Sequence, residues 1–301
     1  MRPVCAISVD VDGLDLYAGL HGLPVSVAGP QAWTAGVRRF LDLFDRRGIP
    51  ATFFVVGQDL QGPGPGRELA SEAQRRGHEL ANHSLTHPYE LLALSPEERR
   101  AEVEGGARAI ESVTGARPEG FRSPGYALDD DLLRLVADTG HTYDSSALPS
   151  PAYALAKRLK IGALQLQGRR STNARSGLGG ALGRRAPYRP DCAPGLIEAP
   201  IATTRTLRLP VTGSSLLNLG AGWFRRRLPG VLRSSPLINL ELHAVDLVGV
   251  VEDRVHPSLA VRPDPGRMSL ARKAATLESC IDLLATRCRF DTLAGGLAAF
   301  G

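Results

Sequence analysis

Five short apolar runs, rich in β-branched residues, alternate with four helically spaced stretches over the first 150 residues, and this pattern restricts the fold more than any other feature. The strand-like runs are VCAISVDVDG, IPATFFVVG, HELANHS, PEGFRSPGY and HTYDSSALPS. The helical stretches between them are QAWTAGVRRFLDLFDRRG, GRELASEAQRRG, SPEERRAEVEGGARAIESVTG and LDDDLLRLVADTG. Gly48 is placed to stop the first helix, and Ser95 to cap the third, with acids in its first turn. Such β-α alternation predicts an α/β fold on a parallel sheet, open or closed into a barrel. A further strand, SPLINLELHAVDL, and a long helix, MSLARKAATLESCIDLLATRC, follow near the end. Between Pro151 and Leu237 the pattern blurs.

A length of 301 residues, 43% of them hydrophobic, suffices for one large core, and we expect a single domain over 1–301. No run of about 18 apolar residues predicts a membrane-spanning helix. The N-terminus MRPVCAISVDVDG has no signal-peptide pattern, so a cytoplasmic location is expected, and the four cysteines are expected to be free thiols. The net charge of +5 is uneven: the segment 151–235 holds 15 Lys and Arg against only Asp191 and Glu198. It reads either as a solvated loop-rich insertion or as a surface for an anionic partner. Aromatic residues make up 5% of the chain, too few to interleave a basic surface for stacking bases, so nucleic acid is not expected. The glycine-rich pieces lack a P-loop lysine or a G-x-G-x-x-G after a strand, which argues against a nucleotide cradle.

In parallel α/β folds the chemistry gathers where strands exit at their C-terminal ends. The residues there are Asp10 and Asp12, His83 and His87, Arg122, Asp144, and His243 with Asp246. Asp10 and Asp12 share a face of one strand, and two buried carboxylates on one face repel unless a cation or an arginine compensates. If SLTHP forms a helical turn, His83 and His87 converge. A divalent ion on Asp12, His83 and His87 would then be a two-histidine, one-carboxylate site with room for water. His78 reads as structural, and Asp144 as a strand-end cap.

These motifs, in this order, resemble the polysaccharide deacetylase family, the NodB-homology carbohydrate esterases. The acidic pair matches Asp10-Val11-Asp12, H-[ST]-x-x-H matches residues 83–87, R-x-P matches GFRSPGY, and L-x-H matches LELHAVD. The family's usual first motif has adjacent aspartates. The D-x-D spacing here resembles the branch of lipid-linked aminosugar deformylases, and also the allantoinase-like hydrolases of cyclic amides. The family's fourth motif, an aspartate before tryptophan, is not found.

The resemblance implies a distorted (β/α)7 barrel and a metal-dependent hydrolase removing an N-acetyl or N-formyl group. Its substrate would be an amino sugar, free or lipid-linked. It implies metal ligands Asp12, His83 and His87 for a divalent ion, zinc first, with cobalt, nickel or manganese as alternatives. Asp10 is the implied general base, held by Arg122, and His243 the general acid, oriented by Asp246. Backbone N–H groups at Gly125 and Tyr126 would face the oxyanion. Arg122 could instead be an ion pair that only holds the barrel, and His243 a core histidine. The stretch 214–233, with Leu216, Leu217, Trp223 and Phe224 before Arg225, Arg226 and Arg227, suggests peripheral contact with an anionic membrane at its inner face. Its alternative role is barrel closure. Two other functional readings remain: an allantoinase- or imidase-like amidohydrolase, and a non-catalytic carbohydrate-binding relative.

Overall fold

The computed structural model describes residues 2–20, 23–166, 180–260 and 268–300. Part of the basic segment, 167–179, therefore lies outside the described residues. The expected alternation is present, among the described residues, as eight parallel strands: β1 (Val4–Val11), β2 (Thr52–Val55), β3 (Glu79–Asn82), β4 (Gly120–Phe121), β5 (Tyr143–Asp144), β6 (Ile197–Glu198), β7 (Leu237–His243) and β8 (Arg289–Asp291). The sheet runs β6-β5-β4-β3-β2-β1-β7, with β8 pairing the start of β1. Between its two edges the closure is sparse. Ala202 N donates to Asn239 O at 2.9 Å, and Thr212 bridges to Glu241. This is the expected distorted (β/α)7 barrel.

Strand alternation sorts the side chains into two layers. From β1, Cys5, Ile7, Val9 and Val11 pack outward into the main core with Phe40, Phe44, Phe53 and Ile281 of the surrounding elements. Val4 and Ala6 point inward, where Leu237, Leu293 and Leu297 close the bottom of the barrel. Higher up, the inward positions turn polar, from Ser8 and Asn239 to Asp10 and Glu241, all buried. The gradient follows from taking every second residue of V-x-A-x-S-x-D and L-x-N-x-E-x-H. It leaves the chemistry at the C-terminal rim.

The helix Pro96–Thr114 begins as expected. The Ser95 side chain accepts from Glu98 N, and the Glu98 carboxylate reaches back to Ser95 N at 2.9 Å. Residues 213–232 form a helix kinked at Gly220, whose φ is +77°. Leu216, Leu217 and Phe224 are buried in the main core, and Trp223 is packed against it. The apolar half of the suggested membrane contact is thus spent on packing, and Arg225, Arg226 and Arg227 remain exposed. None of the helices is long and apolar enough to cross a membrane, among the described residues.

Candidate metal centre and active site

Asp12, His83 and His87 come together, each buried. His83 Nε2 lies 3.3 Å and His87 Nε2 3.4 Å from Asp12 Oδ1. That oxygen has no hydrogen-bond partner among the described residues. A buried carboxylate oxygen without a donor is costly. Two imidazole nitrogens beside it form a donor set suited to a divalent ion. The His83 Nδ1–H donates to Arg122 O at 2.7 Å, which leaves Nε2 free to ligate. Burial, opposed by Asp12, takes His87 down to about 4, so its imidazole is neutral near pH 7. The residues fit the metal the motifs imply.

The expected helical turn at SLTHP does not form. The chain passes through bends, with Ser84 at φ +65° and His87 at φ +59°. Left-handed backbone at two non-glycine residues is strained and must be held by its surroundings. Three groups hold it. Asn82 Oδ1 accepts from Ser84 N at 3.0 Å, and Ser84 Oγ accepts from His87 N at 3.0 Å. Glu102, on the helix Pro96–Thr114, accepts from Leu85 N, Thr86 N and Thr86 Oγ. The same helix presents Gly105 and Gly106, because a Cβ on Gly106 would stand 2.2 Å from Asn82 Oδ1 and 2.8 Å from the Ser84 carbonyl.

Arg122, fully buried, binds Asp10 Oδ1 through Nη1. Its other donors go to Ser8 Oγ at 3.0 Å, Ser145 Oγ at 2.8 Å and Ser145 O at 3.0 Å, and its plane lies over Phe54. Asp10 Oδ2 lies 3.9 Å from His83 Nε2, so the arginine-held carboxylate sits beside the Asp12–His83–His87 cluster. His243 follows on the same face of β7, with Asp10 and Glu241 within 4.8 Å. Burial lowers the pKa of this imidazole, but Glu241, Asp10, Asp12 and Asp246 raise it, and the net result is about 9. Asp246 acts on the backbone, accepting from His243 N at 2.8 Å, and Gly213 makes room for its carboxylate. Gly125 and Tyr126 form the tip of the SPGY turn with φ of +61° and +62°.

Two other sequence readings can be placed. His78 Nδ1 accepts from Ala51 N at 3.2 Å and packs on Phe44 and Phe53, so it is structural. Asp144 accepts from Ser146 N and Oγ at 2.9 and 2.8 Å, a strand-end cap. Sequence reasoning missed Glu241, although it alternates with His243, and Asn82, which directly precedes His83. It also missed Tyr89, whose ring meets His87 edge-on at 4.8 Å, and Glu102. The doubled glycine at 105–106 was the visible sign of a close approach.

Fold and site together define a parallel α/β barrel with an Asp-His-His cluster at its rim. The polysaccharide deacetylase family model matches residues 28–143, which include both histidines, Arg122 and the turn. Over that stretch, and in the order of its motifs, the chain is similar to that family. A peptidoglycan deacetylase-like protein of Gibberella zeae is 32% identical over 148 residues, 46% of this chain and 42% of that protein. A chitooligosaccharide deacetylase of a Bradyrhizobium species is 37% identical over 101 residues, 33% of this chain and 44% of that protein. The chain thus spans less than half the length of these two relatives. A solved structure from Mycobacterium smegmatis, described as a polysaccharide deacetylase, has the same fold. It gives a TM-score of 0.60 and 21% identity, covering 99% of this chain and 88% of that one.

Proposed function

We propose that the protein is a metal-dependent hydrolase that removes an acetyl or formyl group from the nitrogen of an amino sugar. The observation that carries this reading is the donor-less, buried Asp12 Oδ1 between two imidazole nitrogens, beside an arginine-held Asp10 that His243 approaches from β7. Relatives named for peptidoglycan and chitooligosaccharide deacetylation support the sugar N-acyl class. A divalent cation on Asp12, His83 and His87, zinc first, would polarise the amide carbonyl and acidify a water.

The chain's own groups supply the rest. Arg122 occupies Asp10 Oδ1, so Oδ2 is the oxygen that takes the proton from water. Gly125 and Tyr126 offer backbone N–H groups to the developing oxyanion. His243, protonated at neutral pH, gives its proton to the departing amine, which leaves poorly as an anion. Asp246 orients His243 from behind through the backbone.

The D-x-D spacing supports a lipid-linked or polyprenyl-phosphate-linked aminosugar as acceptor, with the enzyme working at the cytoplasmic face of a membrane. The exposed Arg225, Arg226 and Arg227 would meet anionic headgroups there. Metal analysis of purified protein tests the central claim, combined with assays of acetate and formate release from N-acylated sugars, lipid-linked sugars and cyclic amides. Release from a sugar substrate supports it, and turnover of cyclic amides alone would transfer the reading to an allantoinase-like enzyme. Protein that binds no metal and behaves identically as His83→Ala would overturn it. The membrane arm is read by sedimentation with anionic vesicles at low salt, where replacing the three arginines by glutamine should abolish binding.

A further inference from the structure

Glu241 sits at the centre of the site, yet none of the proposed chemical steps uses it. It is fully buried on β7, one alternation below His243 and on the same face. Oε1 accepts from the Tyr126 hydroxyl at 2.9 Å, and Oε2 has no hydrogen-bond partner among the described residues. A buried carboxylate needs a counter-charge. The nearby guanidinium, Arg122, is committed to Asp10, Ser8 and Ser145. What faces Glu241 is the His243 ring, with Nε2 3.9 Å from Oε1.

We propose that Glu241 is a positioning residue that couples the two ends of the site, tethering the oxyanion turn through Tyr126 and holding the His243 imidazolium as its counter-charge. The inference rests on the hydrolase reading above. Two further observations support it. Gly125 and Tyr126 stand consecutively at positive φ, a turn that local propensity does not secure. The Tyr126–Glu241 bond spans 115 residues of sequence and ties that turn to the strand bearing the acid. Charge counting gives the second. The carboxylates of Asp10, Asp12, Glu241 and Asp246 face one guanidinium, Arg122. With all four ionised, a divalent cation on the metal ligands would leave one negative charge over, which a proton on His243 cancels; burial lifts Glu241 to about 7, so its ionised form depends in turn on that cationic neighbour.

Two substitutions separate the two roles in the metal-loaded protein. Glu241→Gln keeps the shape and an acceptor for Tyr126 but removes the charge. We expect KM to hold, kcat to fall about tenfold, and the alkaline limb of kcat/KM to move down by about one pH unit, a tenfold change in proton affinity. Tyr126→Phe removes the tether and keeps the charge, so kcat/KM should fall with the pH profile in place. A Glu241→Gln profile superimposable on the parent's would overturn the proposal. The imidazole titration of His243 by nuclear magnetic resonance gives a readout independent of turnover. If no N-acylated sugar is hydrolysed but the His243 titration still shifts in Glu241→Gln, the hydrolase reading fails and the pairing stands. An unmoved titration sinks the pairing whatever the substrate. Should Glu241→Gln not fold, Glu241→Asp withdraws the charge by one methylene and must shift the same limb by a smaller amount.

Discussion

At the scale of single residues, the cluster separates binding from proton transfer. In the proposed site His83 and Asp12 would contribute ligand atoms, whereas Asp10 is bound by Arg122. We therefore predict that His83→Ala loses the metal and activity together. Asp10→Asn should keep its metal by elemental analysis while kcat falls by about 10²–10⁴, the usual worth of a positioned base. Metal loss in Asp10→Asn would instead make it a ligand. The types and spacing of these residues were legible in the sequence, because metal ligation and proton transfer each demand a short list of side chains. Glu241 was not: a glutamate inside an apolar strand carries no sign of which groups will face it.

At the scale of elements, the histidine loop is shaped from outside. Its left-handed Ser84 and His87 depend on Asn82, Glu102 and the glycine face of the helix Pro96–Thr114. Gly106→Ala tests this. On an open helix, alanine would gain up to about 1 kcal/mol over glycine. Here its methyl meets Asn82 Oδ1 at 2.2 Å, so overpacking of about 1–3 kcal/mol should win. A lower unfolding temperature and weaker metal affinity are expected, and an unchanged or raised temperature would show that the loop yields freely. His141 supports the same loop one layer back. Its Nε2 accepts from Asn82 Nδ2 at 3.2 Å, and burial holds its pKa down to about 4. The unfolded chain therefore binds this proton near pH 6.5 and the native state only near pH 4. The associated stability is full above pH 6.5 and is lost as pH falls toward 4, on the order of 3 kcal/mol. Chemical denaturation across that window should show the slope in the parent and lose it in His141→Gln.

At the scale of the whole molecule, the barrel carries buried polar groups where a simpler barrel would have apolar layers, and its balance of charge depends on pH. On neighbouring strands, Asp144 and Glu198 lie in register, both fully buried, and Glu198 Oε2 has no hydrogen-bond partner among the described residues, so burying the two carboxyls side by side favours one proton held between them. Burial and then Asp144 push Glu198 well above its ordinary value of 4.5. The sign follows: this pair's stability is complete below pH 4.5 and is lost as pH rises through the higher folded value. Glu198→Gln supplies an N–H without a titrating proton. It should flatten the alkaline side of the stability curve, and curves that stay parallel to the parent's would remove the shared proton. The sequence by itself determined the parallel α/β class and the strand ends at which Asp10, Asp12, His83, His87 and His243 gather. Those rest on local periodicity and on chemistry that few side chains can perform. Only the tertiary structure decided that the histidines converge through strained bends and not a helical turn. It alone buried Leu216, Leu217 and Phe224 of the basic stretch in the core, and faced Glu241 toward both Tyr126 and His243. Each of these depends on contacts between segments far apart in sequence, which hydrophobic periodicity within one segment does not encode.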